Sequence, residues 1–389
     1  MYKKQGFNLC PTSRKSLYFM PFVDIEETIE IKKLKLIQND SKYDYIMPKL
    51  FKGGGGIFVE IIDKFKSSDA FNTNIHSEIN NMIELLKFSY YTACLPLGTG
   101  YPGFISDSSF ELFPIIEANK DKSFEHKTPI TNGVSNFLMK QEDYFRHKII
   151  LGNVNNVKIV KSFLYYFELI YDDCIHDENK LSILKLYNKS LRITDTNDCF
   201  DKIIFARASI ETLIKIKGAP LSKKNYTKTF VEKIEKFIKS YPNLNNDVLA
   251  FYKDDVVSNN GLKISEDHLN TYMESLATAR HNLVHENKIT QDFITIEVYI
   301  TWFPLFFLIT FFKEDLQEKD LTRMILFLKL LQLDFELWNK RDTNTLSNKM
   351  TCLETYDQYT RSITSQLGRN EHENISYYLE GFNNCFKDR

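Results

Sequence analysis

The sequence predicts an α+β protein, with a mixed, β-containing front part and an all-α bundle behind it. Three observations lead there. Between Thr28 and Ile37, the residues Ile29, Ile31, Leu34 and Leu36 alternate with charged ones, the period of two that half-buried strands show. Between Ile75 and Ala93, Ile79, Met82, Ile83, Leu86 and Tyr90 recur at helical spacing. From residue 157 onward the apolar residues keep helical spacing through several successive segments.

A chain of 389 residues has room for two domains and a sizeable core. Apolar residues make up 43% and aromatics 14%, which suits a globular chain and not a disordered one. The formal charge of -1 argues against a protein that coats nucleic acid non-specifically, since such proteins carry excess Lys and Arg. A local basic groove is still compatible with it. Cys10, Cys94, Cys174, Cys199, Cys352 and Cys385 stand singly, with no CxxC pair, so neither a zinc ribbon nor a disulfide scaffold is indicated. The opening residues lack the apolar core of a signal peptide, and a reducing cytoplasm is the expected compartment.

In chain order, Leu17 to Val23 and Thr28 to Ile37 are expected strands. Asp44 to Phe51 is another, ending in Lys52-Gly53-Gly54-Gly55-Gly56. Four glycines can cradle a phosphate, but no Gly-Lys-Ser/Thr follows, so a hairpin or loop is expected there. Ile57 to Phe65 reads as a strand and Ile75 to Ala93 as an amphipathic helix. Pro96, Gly98, Gly100, Pro102 and Gly103 then break the chain into turns. Phe110 to Ile116 reads as a strand, Asn119 to Gly133 as polar loop, and Arg146-His147-Lys148 as a small solvated basic point. Residues 1–155 hold no catalytic constellation; sensing, regulation or support is their expected role.

Residues 156–340 are the expected helical domain. Val157 to Tyr171, Leu181 to Leu191 and Ile203 to Lys217 read as helices, the last closed by Gly218-Ala219-Pro220. Ser222 to Ser240 is lysine-heavy, with Glu232 and Glu235 as offsets. A solvated face is its ordinary meaning; the alternative sets Lys223, Lys224 and Lys228 against phosphate. Ser265 to Asn270 opens the next helix, with Glu266 and Asp267 suited to its first turn.

Phe293 to Phe312 is about long enough to span a bilayer. Glu297, Pro304, the threonines and the lack of a second such segment favour a buried central helix, so no membrane partner is expected. Arg323 to Trp338 is a further helix. Residues 341–389 are a polar linker followed by an amphipathic helix, Asn374 to Phe386.

The densest chemistry lies at Arg280-His281-Asn282-Leu283-Val284-His285. On a helix His281 and His285 stand about 40° apart, on one face. Arg280 lies about 140° from His285, within the swing of its long side chain. Leu276, Ala279 and Leu283 fall on the other side, facing a core.

Arg-polar-x-x-x-His on a helix that precedes a hydrophobic helix resembles the signature of HEPN ribonucleases, an all-α superfamily of prokaryotic toxins and defence nucleases. In that signature the residue after the arginine is usually Asn, Asp or His; here it is His281. The likeness extends to the Apea-like HEPN branch through Ile203 to Lys217, with Ile210, Glu211 and Leu213 at its centre. It covers roughly Val157 to Phe335. The resemblance implies an HEPN-like helical bundle, action on RNA in phage defence, abortive infection or toxin-like growth arrest, and an inhibitory or phage-derived trigger partner. It also implies a homodimer that brings two motifs into one cleft.

RNA needs no metal to be cut, because its own 2′-hydroxyl can attack the adjacent phosphate. An enzyme must take that proton, protonate the leaving 5′-oxygen and offset charge on the phosphoryl group. Histidine, titrating near neutrality, suits the proton transfers. Arginine, always charged and fork-shaped, suits the phosphate oxygens. The expected roles are therefore His285 as general acid or base, Arg280 as phosphate clamp and His281 as a second polar contact. Asn282 and Glu211 are expected as orienting groups, and no cofactor or metal is called for. Two rival readings stay open. His281 and His285 are spaced to ligate zinc, though Asn282 breaks the HExxH form and no third ligand is evident. Alternatively, an HEPN fold serves as a non-catalytic RNA- or nucleotide-binding and dimerisation module.

Overall fold

The computed structural model describes residues 17–39, 55–62, 73–94, 107–114, 116–117, 124–125, 127–131, 136–140, 157–159, 161–191, 200–218, 223–241, 268–286, 293–318, 321, 324–325 and 328–329. It is an α+β chain, with strands first and helices after. The expected strand at Asp44–Phe51, the basic point at 146–148, the helix entry at Ser265 and the whole of 341–389 lie outside the described residues. The chain divides into two compact units, Met1–Lys87 with Ile105–Lys161, and Phe88–Phe104 with Ser162–Arg389.

In the first unit, β1 (Leu17–Met20), β3 (Ile29–Ile31), β4 (Leu34–Gln38), β5 (Ile57–Ile61) and β6 (Phe113–Pro114) form one antiparallel sheet, in the order β3-β4-β5-β1-β6. All five residues of the central strand β5 are buried, as expected of a strand with neighbours on both edges. The edge strand β3 alternates buried, exposed, buried, which is the period of two seen in its sequence. Gly55 and Gly56, the end of the glycine run, prove to be the entry to β5. Gly55 and Gly56 both take positive φ, and a Cβ on Gly56 would lie 2.5 Å from the Phe19 ring. Asn39 Nδ2 donates to the Gly55 carbonyl at 2.8 Å, and Gly56 N–H donates to Asp24 Oδ1 at 3.0 Å. These two glycines make a turn.

Three further strand pairs differ from the sequence reading. β2 (Val23–Ile25) pairs in parallel with β11 (Val157–Ile159), where a helix start is expected. The aromatic helix begins only at Tyr165, after a 3-10 turn at Lys161–Leu164. The parallel partner decides the matter, since Val157, Lys158 and Ile159 meet Val23, Asp24 and Ile25 in register. β9 (Lys127–Thr131) and β10 (Asn136–Lys140) form a hairpin across part of the expected loop Asn119–Gly133. The signal was present: Asn132-Gly133 follows the β-branched Thr128, Ile130 and Thr131, and Asn-Gly is a strong hairpin dipeptide. β7 (Ile116–Glu117) and β8 (Phe124–Glu125) are a short antiparallel pair.

Helix α1 (Thr73–Cys94) carries the expected stripe, with Ile79, Met82, Ile83 and Leu86 buried. From Phe88 onward it belongs to the second unit and is buried all round through Ala93. There Ser89 Oγ donates to the Phe163 carbonyl and accepts the Phe167 N–H, each at 2.8 Å. That N–H lies in the first turn of α2 (Tyr165–Cys174), whose N-cap residue Leu164 offers no side-chain cap. Ser89 therefore satisfies a donor the helix cannot satisfy itself.

The second unit continues with α3 (Glu178–Ser190), α4 (Phe200–Ile216), α5 (Lys223–Ile238), α6 (His268–Glu286) and α7 (Phe293–Phe311). Asp177 caps α3, accepting from Asn179 N–H at 3.0 Å and Lys180 N–H at 3.1 Å. Helices α4, α5, α6 and α7 each pack against the other three, and α3 packs on α4. Residues Thr301 to Ile309 of α7 are buried on every side, which accounts for its uniform apolarity. Aromatic rings fill the space around it. Tyr187 stacks on Phe303 at 4.4 Å, Phe230 meets Phe306 at 4.5 Å, and Phe88 sits edge-on to Phe307 at 5.2 Å. Phe88 and Tyr91 reach Tyr187 from α1, which is why residues expected in the front part group with the helical unit. Beyond α7, Met324, Ile325 and Leu328 are helical and buried, within the expected helix at Arg323–Trp338. Among the described residues no helix is long and apolar enough to cross a membrane.

Candidate active site

Helix α6 is two-faced, and its sequence dictates the split. Met273, Leu276, Ala277, Ala279 and Leu283 are buried against the neighbouring helices. Thr271, Glu274, Thr278, His281, His285 and Glu286 are exposed, while Arg280 and Asn282 are half-buried. His281 and His285 share the outer face of the last turns, with ring centroids 4.8 Å apart and planes inclined by 44°. Both imidazoles are thus presented to one small volume outside the helix. Val284, between them in sequence, is 47% exposed.

Arg280, in the same turn, is half-buried. It is close enough to the Tyr226 hydroxyl on α5 to act on it electrostatically. Burial pushes the Tyr226 phenol above its ordinary range. The cationic Arg207, a hydrogen bond with Thr227 and then Arg280 pull it down, while Glu211 pushes it up. Among the described residues no carboxylate pairs with Arg280. Two adjacent imidazoles, on the same helical turns as a guanidinium that no described carboxylate neutralises, are groups of the kind an anion and a proton transfer call for.

Beneath this face lies an arginine that the sequence reading passed over. Arg207 on α4 is only 8% exposed, and its Nε, its Nη1 and the face of its guanidinium each have a partner. Its Nε donates to Glu211 Oε1 one turn along the same helix, and its Nη1 donates to the Ala277 carbonyl of α6 at 3.2 Å. Its guanidinium lies over the Tyr226 ring, 4.5 Å from the centroid, and the Tyr226 hydroxyl donates to the Met273 carbonyl at 3.4 Å. Three helices are thereby tied together by one charged side chain. The available signal was Arg207-x3-Glu211, opposite charges one turn apart in a stretch, Ile203 to Ile214, with no other charge.

The other expected residues are placed as follows. Glu211 is positioned on Arg207, which in turn reaches α6, so its link to the cluster runs through that arginine. Lys223 and Lys224 lie in the first turn of α5. Lys228 is exposed and pairs with the exposed Glu232 at 3.6 Å, a surface pair of little energetic weight. No group of three or more His, Cys, Asp or Glu gathers among the described residues, so His281 and His285 have no third ligand there. Comparison with known proteins yields no significant match to any family model, curated protein or solved structure.

Proposed function

We propose that this chain is a metal-independent endoribonuclease of the HEPN type, in which the RNA 2′-hydroxyl attacks the adjacent phosphate. The observation that carries the reading is the pair of exposed imidazoles 4.8 Å apart on α6, directly after an arginine that no described carboxylate neutralises. The reaction needs one proton removed and one delivered, and His285 and His281 supply two groups of the right kind side by side. Arg280 grips the phosphoryl oxygens and offsets their growing charge. Asn282, half-buried beside them, orients the substrate. In this reading two copies associate through the helical unit, and the chain acts as a growth-arresting or antiviral effector.

The test is cleavage of a mixed-sequence RNA by the purified full chain, with and without excess EDTA. Products ending in 2′,3′-cyclic phosphate and 5′-hydroxyl, formed equally in EDTA, are expected. Products with 5′-phosphate point to water as nucleophile and sink the mechanism. RNA retention without any cleavage replaces it with a binding module.

A further inference from the structure

His281 and His285 have a second chemistry besides proton transfer. Neutral imidazole is a common ligand of divalent transition ions, and two imidazoles one turn apart can close on the same ion. A metal–nitrogen bond of about 2.0–2.1 Å sets the ring centres of two imidazoles on one ion about 5 Å apart. The two rings here stand 4.8 Å apart, so little motion brings a nitrogen of each onto an ion between them. Both residues are exposed, and among the described residues no hydrogen bond or ion pair engages either ring. His285 lies in the last turn of α6, where the negative end of the helix favours a cation, and the exposed Glu286 follows it. Arg280 opposes with its like charge. No third His, Cys, Asp or Glu joins the pair among the described residues, so water completes the coordination. Both features make the site weaker than a structural or catalytic zinc site, which has three or four protein ligands. An ion held this way comes and goes with its concentration.

We infer that the α6 imidazole pair is a reversible inhibitory site for an imidazole-preferring divalent transition ion such as zinc. An imidazole nitrogen bonded to the ion has no lone pair with which to take a proton and carries none to give. Both proton-transfer groups of the proposed reaction are thus withdrawn together. Magnesium and calcium prefer oxygen ligands and leave the pair alone. What the ion switches off rests on the ribonuclease reading; that it binds does not.

The experiment titrates zinc chloride into the folded full chain. Diethyl pyrocarbonate labelling of each histidine is read by peptide mass spectrometry, beside RNA cleavage. Zinc should slow labelling of His281 and His285 several-fold and together, while the exposed His176 stays reactive. Magnesium should slow neither, and EDTA should restore both. In His281→Gln, His285 should lose its protection, and in His285→Gln, His281 should lose its own, because one imidazole cannot chelate alone. Both positions are exposed, so both variants should melt as wild type does. Wild-type cleavage should fall over the same zinc range as labelling. Labelling indifferent to zinc, or protection that survives in the single variants, overturns the inference. Protection with cleavage unaffected overturns the inhibitory role. A wild type that cleaves no RNA at any zinc concentration removes the ribonuclease reading, while labelling still decides the ion site.

Discussion

Arg207 and Arg280 are the same residue type on adjacent helices of one unit, and their surroundings are opposite. Arg207 is buried with a carboxylate, a carbonyl and an aromatic face around it. Arg280 is half-buried, on the same helix as two exposed imidazoles, and no described carboxylate pairs with it. A buried charge survives only when its donors are satisfied, so the first is committed to the fold. In the proposed reading, the second is kept unpaired for a phosphate that arrives from outside. The difference teaches that charge alone does not mark a site; an unfilled set of partners does.

The sharpest way to break this comparison is to remove the groups of the outer face. Arg280→Ala or His285→Ala should lower RNA cleavage by about 10²–10⁴, the usual cost of losing an acid–base or charge-stabilising group. Thermal melting should shift little, within about 0.5 kcal/mol, because these side chains reach solvent. Arg280→Lys should fail to restore cleavage, since a point charge cannot grip two oxygens at once. Early melting with activity lost only in proportion would make the cluster structural.

Next in size is the buried face of the same helix. Leu283→Ala should destabilise the fold by about 2–5 kcal/mol while the remaining folded protein keeps its specific activity. Cleavage lost without a change in melting would reverse the assignment of the two faces.

A smaller effect should follow at Tyr226. Tyr226→Phe removes a long hydrogen bond to Met273 and should cost about 0.5–1.5 kcal/mol at neutral pH. Its pH dependence has a definite sign. Burial raises the folded-state pKa above the unfolded value of about 10, so the folded phenol keeps its proton longer. That contribution is fully present below pH about 10 and is lost as pH climbs through the raised folded value. Wild-type melting temperature should therefore fall above pH 10, and the Phe variant should fall less. Tyr18 in the first unit, pushed up to about 12 by burial, should behave alike in Tyr18→Phe. Equal alkaline loss in wild type and variants would assign the effect elsewhere.

The smallest expected effect is at Lys228, whose pairing with Glu232 is solvent-exposed. Lys228→Ala should change stability by less than about 0.5 kcal/mol. If the lysine face of α5 contacts RNA, the salt dependence of binding should weaken in that variant. An unchanged salt slope leaves it a solvated face.

Much of this molecule is legible without its structure, because the legible features are local. Helices α1, α4 and α6 follow from apolar residues at three- and four-residue spacing, α7 from a nearly unbroken apolar run, and the two faces of α6 from the same count. The 4.8 Å approach of His281 and His285 is likewise a property of one helix. The β9–β10 hairpin carried a local signal, Asn132-Gly133, whereas at Val157–Ile159 the deciding partner was distant. Val157–Ile159 is a strand because β2, far away in the chain, offers it a parallel edge. A strand pairing of that kind leaves no mark in the short segment itself.

What the sequence alone determined is therefore which residues share a face and which faces must be buried. Covalent geometry sets those periods residue by residue. Only the tertiary structure decided which polar groups meet across helices. Arg207 and the Ala277 carbonyl are 70 residues apart in sequence, and Tyr226 and the Met273 carbonyl are 47 apart. No spacing rule joins them. They meet because four helices bury their apolar sides together, and a polar group caught in that burial must take whatever partner the packing brings within reach.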